Sequence, residues 1–322
     1  MLRFLVAALT GLASVSAAVA QSYPSRPITI IVPFAAGGPT DVMARALGER
    51  MRATLGQTLL IENVTGAGGS IGVGRAVQAA PDGYTISMGN TGTHVATGAI
   101  YPLKYDLLGD LEPLALLATN PMVVVAKAGM AAQNLRELID WLRANPNRVA
   151  AGTAGVGSGS HIAAVYFETA TGTKFNFVPY RGTGPALQDL VAGQIDIIVD
   201  QASNSMAQIQ AGKIKAYAVA ANKRLPAAPN VPTVDEAGLP GFHVSVWTAL
   251  WVPKGTPRDV IAKLNAAVVD ALADPTVRQR FADAGLEIPP REQQTPEALA
   301  AHHKAEIEKW WPIIKAANIK AE

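Results

Sequence analysis

The residue patterns that could do chemistry in this chain are glycine-rich turns. Four of them share one grammar of apolar run, small or polar loop and helix start: 35–40, 90–93, 153–161 and 181–184. The best defined is VPFAAGGPTDVMAR at 32–45, where Gly37, Gly38 and Pro39 join an apolar run to an amphipathic helix. The first N–H groups of a helix lack internal partners and sit at the positive end of its dipole, and glycine lets a ligand approach the backbone closely, so such a turn can seat an anion. Gly, Ser and Thr there also serve as turn formers and N-caps, which suffices for any single junction. Recurrence in both halves of the chain favours a socket.

Other chemistries fit less well. No stretch spells G-x-x-x-x-G-K-[ST], and neither 66–69 nor 155–159 completes G-x-G-x-x-G, so nucleotide binding lacks support. Gly68-Gly69-Ser70-Ile71-Gly72 does match the G-x-S-x-G of a nucleophile elbow, and the later histidines His94, His161, His243, His302 and His303 allow a triad on paper. Ser70 reads more simply as a helix-start residue. The histidines are scattered without H-E-x-x-H spacing, and His303 with Glu306 reads as a solvated helix face, so no metal, no cofactor and no catalytic residue are expected. His161, after Ser158-Gly159-Ser160, fits a neutral helix-start residue and a ligand contact equally. Asp196 and Asp200 would lie roughly 13 Å apart along a strand, too far for a coupled acid/base pair, which leaves Asp200 as an N-cap or a cleft residue. Arg181, following Val178-Pro179-Tyr180, can hold a carboxylate bidentately or make a structural ion pair. Trp247 and Trp251 read as core or hinge packing, and Trp310-Trp311 as the pin of the last helix.

Bulk properties narrow the classes. The 322 residues are 49% hydrophobic, enough for two domains with proper cores. The 27 basic and 25 acidic residues are interspersed, which leaves no footprint for nucleic acid. Cys is absent, excluding disulfides and thiol chemistry. Arg3, the apolar 4–15 and Ala18-Val19-Ala20 form an export signal, with cleavage expected after Ala20 and a mature start at Gln21. No later run approaches ~18 apolar residues.

The elements that must position the turns follow from period and punctuation. Strands are expected at 28–32, 58–64 and 84–88, with helices at 40–55 and 73–80 between them. A long apolar strand at 114–126 leads to a second such set: helix 134–144, strand 149–152, helix 160–171, strand 175–178, helix 185–191, strand 195–199, helix 204–210 and strand 215–220. The Pro-rich 225–240 reads as a linker; strand 244–252 and helices 257–273, 275–284 and 296–316 complete the chain. This is an α/β alternation with crossings near 119–122 and 220–224, which suggests two lobes and a ligand beyond the carboxyl ends of the strands.

Several long motifs also carry a family resemblance: RPITIIVPFAAGGPTDVMAR, GAGGSIGVGRAVQAAPDGYT, VPYRGTGPALQDLVAGQIDIIVD, AGKIKAYAV, VPTVDEAG and VPKGTP. Together they resemble the Bug-type solute receptors of tripartite tricarboxylate transporters over essentially the whole mature chain. The resemblance implies a periplasmic binding protein of the two-lobed, type II flytrap kind, each lobe a mixed sheet flanked by helices, with lobe 1 at 21–120 plus 223–322 and lobe 2 at 121–222. It implies a monomer that binds a small organic carboxylate, without catalysis, and hands it to the permease subunits in the inner membrane. By position, the ligand-binding residues are Phe34, Ala35, Ala36, Gly37, Gly38, Thr40 and Asp41 in one lobe and Thr153, Ser158, Gly159, Ser160 and His161 in the other. Asn90, Thr91, Tyr180, Arg181, Gly182 and Asp200 are expected to line the same cleft. One departure stands out: Gln201-Ala202-Ser203-Asn204 is more polar than the family's usual run, and is expected either to face a second polar end of the ligand or to cap a helix. An exported serine esterase using Ser70 and a receptor for a neutral sugar are the alternatives; only 6% of the chain is aromatic, few rings for a sugar cleft.

Overall fold

A computed structural model describes residues 23–320; the export signal lies outside the described residues. The strands are β1 (Ile28–Val32), β2 (Leu59–Asn63), β3 (Thr85–Asn90), β4 (Leu111–Lys127), β5 (Ala150–Thr153), β6 (Asn176–Pro179), β7 (Ile197–Gln201), β8 (Ile214–Val219) and β9 (Ser245–Pro253). The helices are α1 (Pro39–Leu55), α2 (Ser70–Val77), α3 (Thr97–Ile100), α4 (Leu135–Ala144), α5 (Gly159–Thr171), α6 (Thr183–Val191), α7 (Ala202–Gln210), α8 (Arg258–Ala273), α9 (Pro275–Asp283) and α10 (Pro296–Ala316).

Local chemistry accounts for the elements. In α1 the buried Met43, Leu47, Met51 and Leu55 recur every four residues on one face, and Gly56 ends the helix in the left-handed region at φ 69°. In α4 the Asn134 side chain accepts the Glu137 N–H while donating to the Glu137 carboxylate, a reciprocal cap, and Leu135, Leu138, Ile139 and Leu142 face the core.

The strands form two mixed sheets flanked by helices, one in each of two lobes. In the first, β1 pairs parallel with both β2 and β3, while β9 runs antiparallel to β3 and to β4. In the second, β5 lies parallel to β6 and β7, and β4 runs antiparallel to β7 and β8. The 17-residue β4 belongs to both: residues 111–121 pair with β9, and 122–127 with β7 and β8. Its crossing point is held from two sides. Thr119 exchanges backbone hydrogen bonds with Glu287 at 2.9 Å, whereas the amide of the adjacent Asn120 donates to Gln201 Oε1 at 3.1 Å and Ser203 Oγ at 2.6 Å.

Two expectations are corrected. The Pro-rich 225–240 is no free linker: Leu225, Val231 and Val234 are buried, and Val219 and Val234 are joined by a backbone hydrogen bond of 2.9 Å, because its apolar residues have the second sheet's helices to pack on. His303 is no solvated residue: it is 1% exposed, and Glu306 accepts from both Trp247 Nε1 and Trp310 Nε1 at 3.0 Å, since α10 lies over the aromatic face of β9. The Gly- and Thr-rich run after β3 is helical, in keeping with a helix start at 90–93, with a wide turn at Gly92–Ala96 leading into α3; Asn90 Oδ1 accepts the Gly92 and Thr93 N–H groups and the Thr97 hydroxyl donates to the Thr93 carbonyl.

Candidate functional site

The loops that follow β1, β2, β5 and β6 point toward one another, and between them lies a cavity of about 730 Å³, within the range of small-molecule sites. Pro33, Phe34 and Ala35 form one wall and Gly66–Gly69 with Tyr101 a second, all from the first lobe. The second lobe contributes 154–156, 179–181 and Pro185. Among the described residues, Arg181 is the one charged side chain in the lining. The lobes touch across glycines: a Cβ on Gly184 would meet the Gly38 nitrogen at 3.1 Å, and one on Gly68 would meet the Val156 carbonyl oxygen at 2.4 Å. The backbone also bridges them, with Ala35 N–H donating to the Arg181 carbonyl at 2.9 Å.

Helix starts give this space its polarity. No side chain caps α1, whose N-cap is Gly38, or α6, whose N-cap is Gly182, so two helix starts in different lobes face the cleft uncapped, although Asp41 lies in the first turn of α1. α5 is different, because Ser158 Oγ accepts the His161 N–H at 3.3 Å.

Of the residues expected in the cleft, Phe34, Ala35, Tyr180 and Arg181 line the cavity. Ala36 and Gly37 are exposed at its edge, and Gly38 and Gly182 sit where the lobes meet. The polar side chains mostly serve their own loops. The buried Asp41 carboxylate accepts from Gly37 N–H at 2.9 Å, Asn63 Nδ2 at 3.0 Å and Arg45 Nε at 3.0 Å, and so ties the glycine turn to α1 and β2. Burial alone would push this carboxyl up, but the donors of Arg45, Gly37 and Asn63 outweigh it and hold it below the usual carboxylate value. Asn90 Oδ1 accepts from Gly92 and Thr93 N–H groups, and Thr91 Oγ1 from Trp247 N–H at 3.2 Å. Ser160 Oγ accepts from Ala154 N–H at 2.9 Å, lies 3.1 Å from Ser158 Oγ, and Thr153 Oγ1 accepts from Gly155 N–H at 3.3 Å. Thr40 and Gly159 are buried beneath the loops. Tyr180 donates its hydroxyl to Asp189 at 2.6 Å.

Two titratable groups behave unlike ligand contacts. His161 rests its edge on Phe177 with ring centroids 4.9 Å apart, and burial pushes its imidazole down to about 4, so it is neutral at pH 7. Asp200 is fully buried and accepts from Ser205 Oγ at 2.6 Å, Asn204 Nδ2 at 2.7 Å and Gln201 N–H at 2.8 Å; burial raises its carboxyl to about 6 against those bonds. The polar run 201–204 is spent the same way, on Asn120, Asp200 and the Thr183 carbonyl, and none of its residues lines this cavity.

The nucleophile pattern finds no setting. Ser70 opens α2, and its carbonyl accepts the Tyr105 hydroxyl at 3.1 Å. The histidines have other partners: His94 stacks on Trp251, His161 meets Phe177 and His302 meets Trp247 edge to face, His243 bonds Asp235, and His303 donates to the His94 carbonyl. No cluster of three or more His, Cys, Asp or Glu among the described residues is arranged to hold a metal.

Pattern reading missed Pro33, Gly66–Gly69 and Tyr101 as cavity residues. The signal for the glycines was available, because 66–69 follows β2 as the other turns follow their strands. Gly68 and Gly69 adopt φ 63° and 98°, a region glycine favours. Tyr101 had none, since it is brought in by a helix that propensity does not foresee.

The Asp41 bonds imply a measurable loss. Asp41→Ala strands Gly37 N–H and Asn63 Nδ2, and should lower stability in urea denaturation by about 2 kcal/mol, the worth of bonds to a buried charge. An unchanged midpoint would remove Asp41 as the organiser of the turn.

Comparison with known proteins bears on the same site. Residues 43–319 match the sequence profile described as tripartite tricarboxylate transporter family receptor. The chain is 42% identical over 319 residues to the UPF0065 protein in the TAR-I ttuE-ttuC' intergenic region of Agrobacterium vitis, covering 98% of this chain and 92% of that one. Among solved structures, the periplasmic binding protein BugD superposes with a TM-score of 0.89 at 40% identity, covering 92% of this chain and 100% of BugD. MatC from Rhodopseudomonas palustris, solved with bound malate, superposes with a TM-score of 0.88 at 42% identity, covering 91% of this chain and 100% of MatC.

Proposed function

This chain belongs to the tripartite tricarboxylate transporter family of receptors, and from that premise we propose that it captures a small organic carboxylate between its lobes and delivers it to the membrane subunits of such a transporter. The observation that carries the reading is the cavity itself, set beside two uncapped helix N-termini, with Arg181 the one charged side chain in its lining among the described residues. The malate held by MatC supports the ligand class. Di- and tricarboxylates and aromatic acids are the candidates, the rings of Phe34, Tyr101 and Tyr180 giving the apolar part of an acid a place to lie.

In this reading the dipoles of α1 and α6 and the Arg181 guanidinium neutralise the carboxylate, and no residue acts as a catalyst. A ligand that touches both lobes favours the closed arrangement because the open one offers it half the contacts. The ligand-binding set is Phe34 to Gly38, Tyr180, Arg181 and Gly182, with Thr40, Asp41, Asn90, Thr91, Thr153, Ser158 to His161 and Asp200 shaping the loops behind them. Because Val234, Phe242 and Val244 pack in the core of the second sheet, we place the return crossing near Val244, so that lobe 2 runs from about 121 to 244. In this reading residues 1–20 direct export to the periplasm and are cleaved off after Ala20. No helix among the described residues is long and apolar enough to cross a membrane.

The test is thermal unfolding of the chain from Gln21, stripped of co-purified ligand, against mono-, di-, tri- and aromatic carboxylates beside neutral sugars. An acid at 100 times its Kd should add about 2.7 kcal/mol, a rise of several degrees. Arg181→Ala should abolish that rise. Shifts with sugars alone, or with no acid, would overturn the proposal.

A further inference from the structure

We infer that Tyr101 is the latch of the cleft: its hydroxyl holds the lobes together through a bond that does not pass through the ligand. The inference rests on the receptor reading, for only a protein that opens needs a latch.

Tyr101 follows α3 in the first lobe, and its hydroxyl donates to the Val156 carbonyl of the second at 2.9 Å. Both residues line the cavity, as do Ala35 and Arg181, whose backbones make the other bridging bond. The loop around Val156 is built to receive the ring. Gly157, at φ 80°, leaves room for it, since a Cβ there would lie 3.3 Å from Tyr101 Cε2. In the first lobe, a Cβ on Gly68 would lie 3.4 Å from the same atom and 2.4 Å from the oxygen that accepts the bond. Glycine at both positions leaves the phenol room to reach the backbone of the other lobe.

A bond of this kind changes the function in a definite way. Contacts between lobe and ligand set which acid binds; a contact between the lobes sets how much of the protein is closed before any acid arrives. The Tyr101 hydroxyl thus acts by positioning the lobes, and its bond raises the affinity for every ligand by the same factor, whatever the ring contributes to a particular one.

The chain has no cysteine, so two introduced ones are unique label sites. Spin labels at Leu60→Cys, on β2, and Val191→Cys, at the end of α6, occupy exposed positions in different lobes, 50% and 39% accessible. Their distance distribution, recorded on the full chain without ligand, reads the closed population directly. Tyr101→Phe keeps the ring and removes the bond, so the closed-to-open ratio should fall about 2- to 10-fold, as the net worth of one hydrogen bond dictates, with the melting temperature unaltered. Gly68→Ala, which crowds the same oxygen, should shift the distribution in the same direction. Superimposable distributions for wild type and Tyr101→Phe would overturn the latch. The carboxylate screen is a separate readout: acids that fail to shift the wild-type melting temperature refute the receptor reading, whatever the labels report.

Discussion

Gly92→Ala should reduce carboxylate affinity by about 100-fold or more while leaving the unliganded protein folded. A Cβ on Gly92 would lie 2.6 Å from the Gly159 nitrogen and 3.0 Å from two backbone atoms of Ser158, at the start of α5 in the other lobe. Backbone cannot swing aside as a side chain can, so the closed arrangement must be abandoned or the helix start displaced. Gly92 itself lies in a helical turn with no positive φ, so alanine costs nothing locally when the lobes are apart. The penalty falls on the closed state alone. A 100-fold loss corresponds to about 3 kcal/mol, modest for an overlap of this depth. Calorimetric titration with the acid identified in the screen, beside a melting curve without it, separates the two effects. Affinity within a few-fold of wild type would mean that the glycine contact is no condition of closure.

A second large effect is on acid stability. Burial holds His161 and His303 down to about 4, and the fully buried His94 well below the usual value as well, with His303 adding to the effect. A depressed histidine leaves the folded protein with fewer bound protons than the unfolded chain between pH 6.5 and 4, so stability falls as pH falls through that window. His161 and His303 together should cost about 4 kcal/mol on going from pH 7 to pH 5. Asp200 runs the other way. Its carboxyl, raised to about 6, penalises the folded state above that pH, and acidification to pH 5 returns about 1 kcal/mol. The net loss of about 3 kcal/mol should lower the melting temperature by roughly 5 °C or more. Asp200→Asn should steepen the decline by removing the opposing group. A melting temperature that holds steady or rises toward pH 5 would contradict the assignment.

Much of this was legible before any coordinates. Strand-to-helix turns with paired glycines announce themselves, and the ends of α1, α4 and α10 fall where caps and prolines put them. What pattern reading could not supply was the direction of polar side chains. Asp41, Asn90, Ser158, Ser160 and Asp200 have the right chemistry for a ligand and stand beside the right loops. Their hydrogen bonds go instead to neighbouring N–H groups and hydroxyls, because a loop that leaves its backbone bare to a ligand has to be held from behind. Tyr101, the 225–240 segment and the buried face of α10 were obscure for a different reason. Each takes its meaning from a partner far away in the chain: Val156, the second sheet's helices, and β9. Local propensity carries no information about such pairings.

The continuity of β4 has one more consequence. Flytraps invite description as two modules with joints between them, yet here one of the two joints is the middle of a single strand whose two ends are each stitched into a different sheet. No cut in the chain separates the halves without severing that ladder. Neither half is therefore a portable unit that could be inherited, exchanged or expressed by itself; what a recombination event can move intact is the pair, strand included.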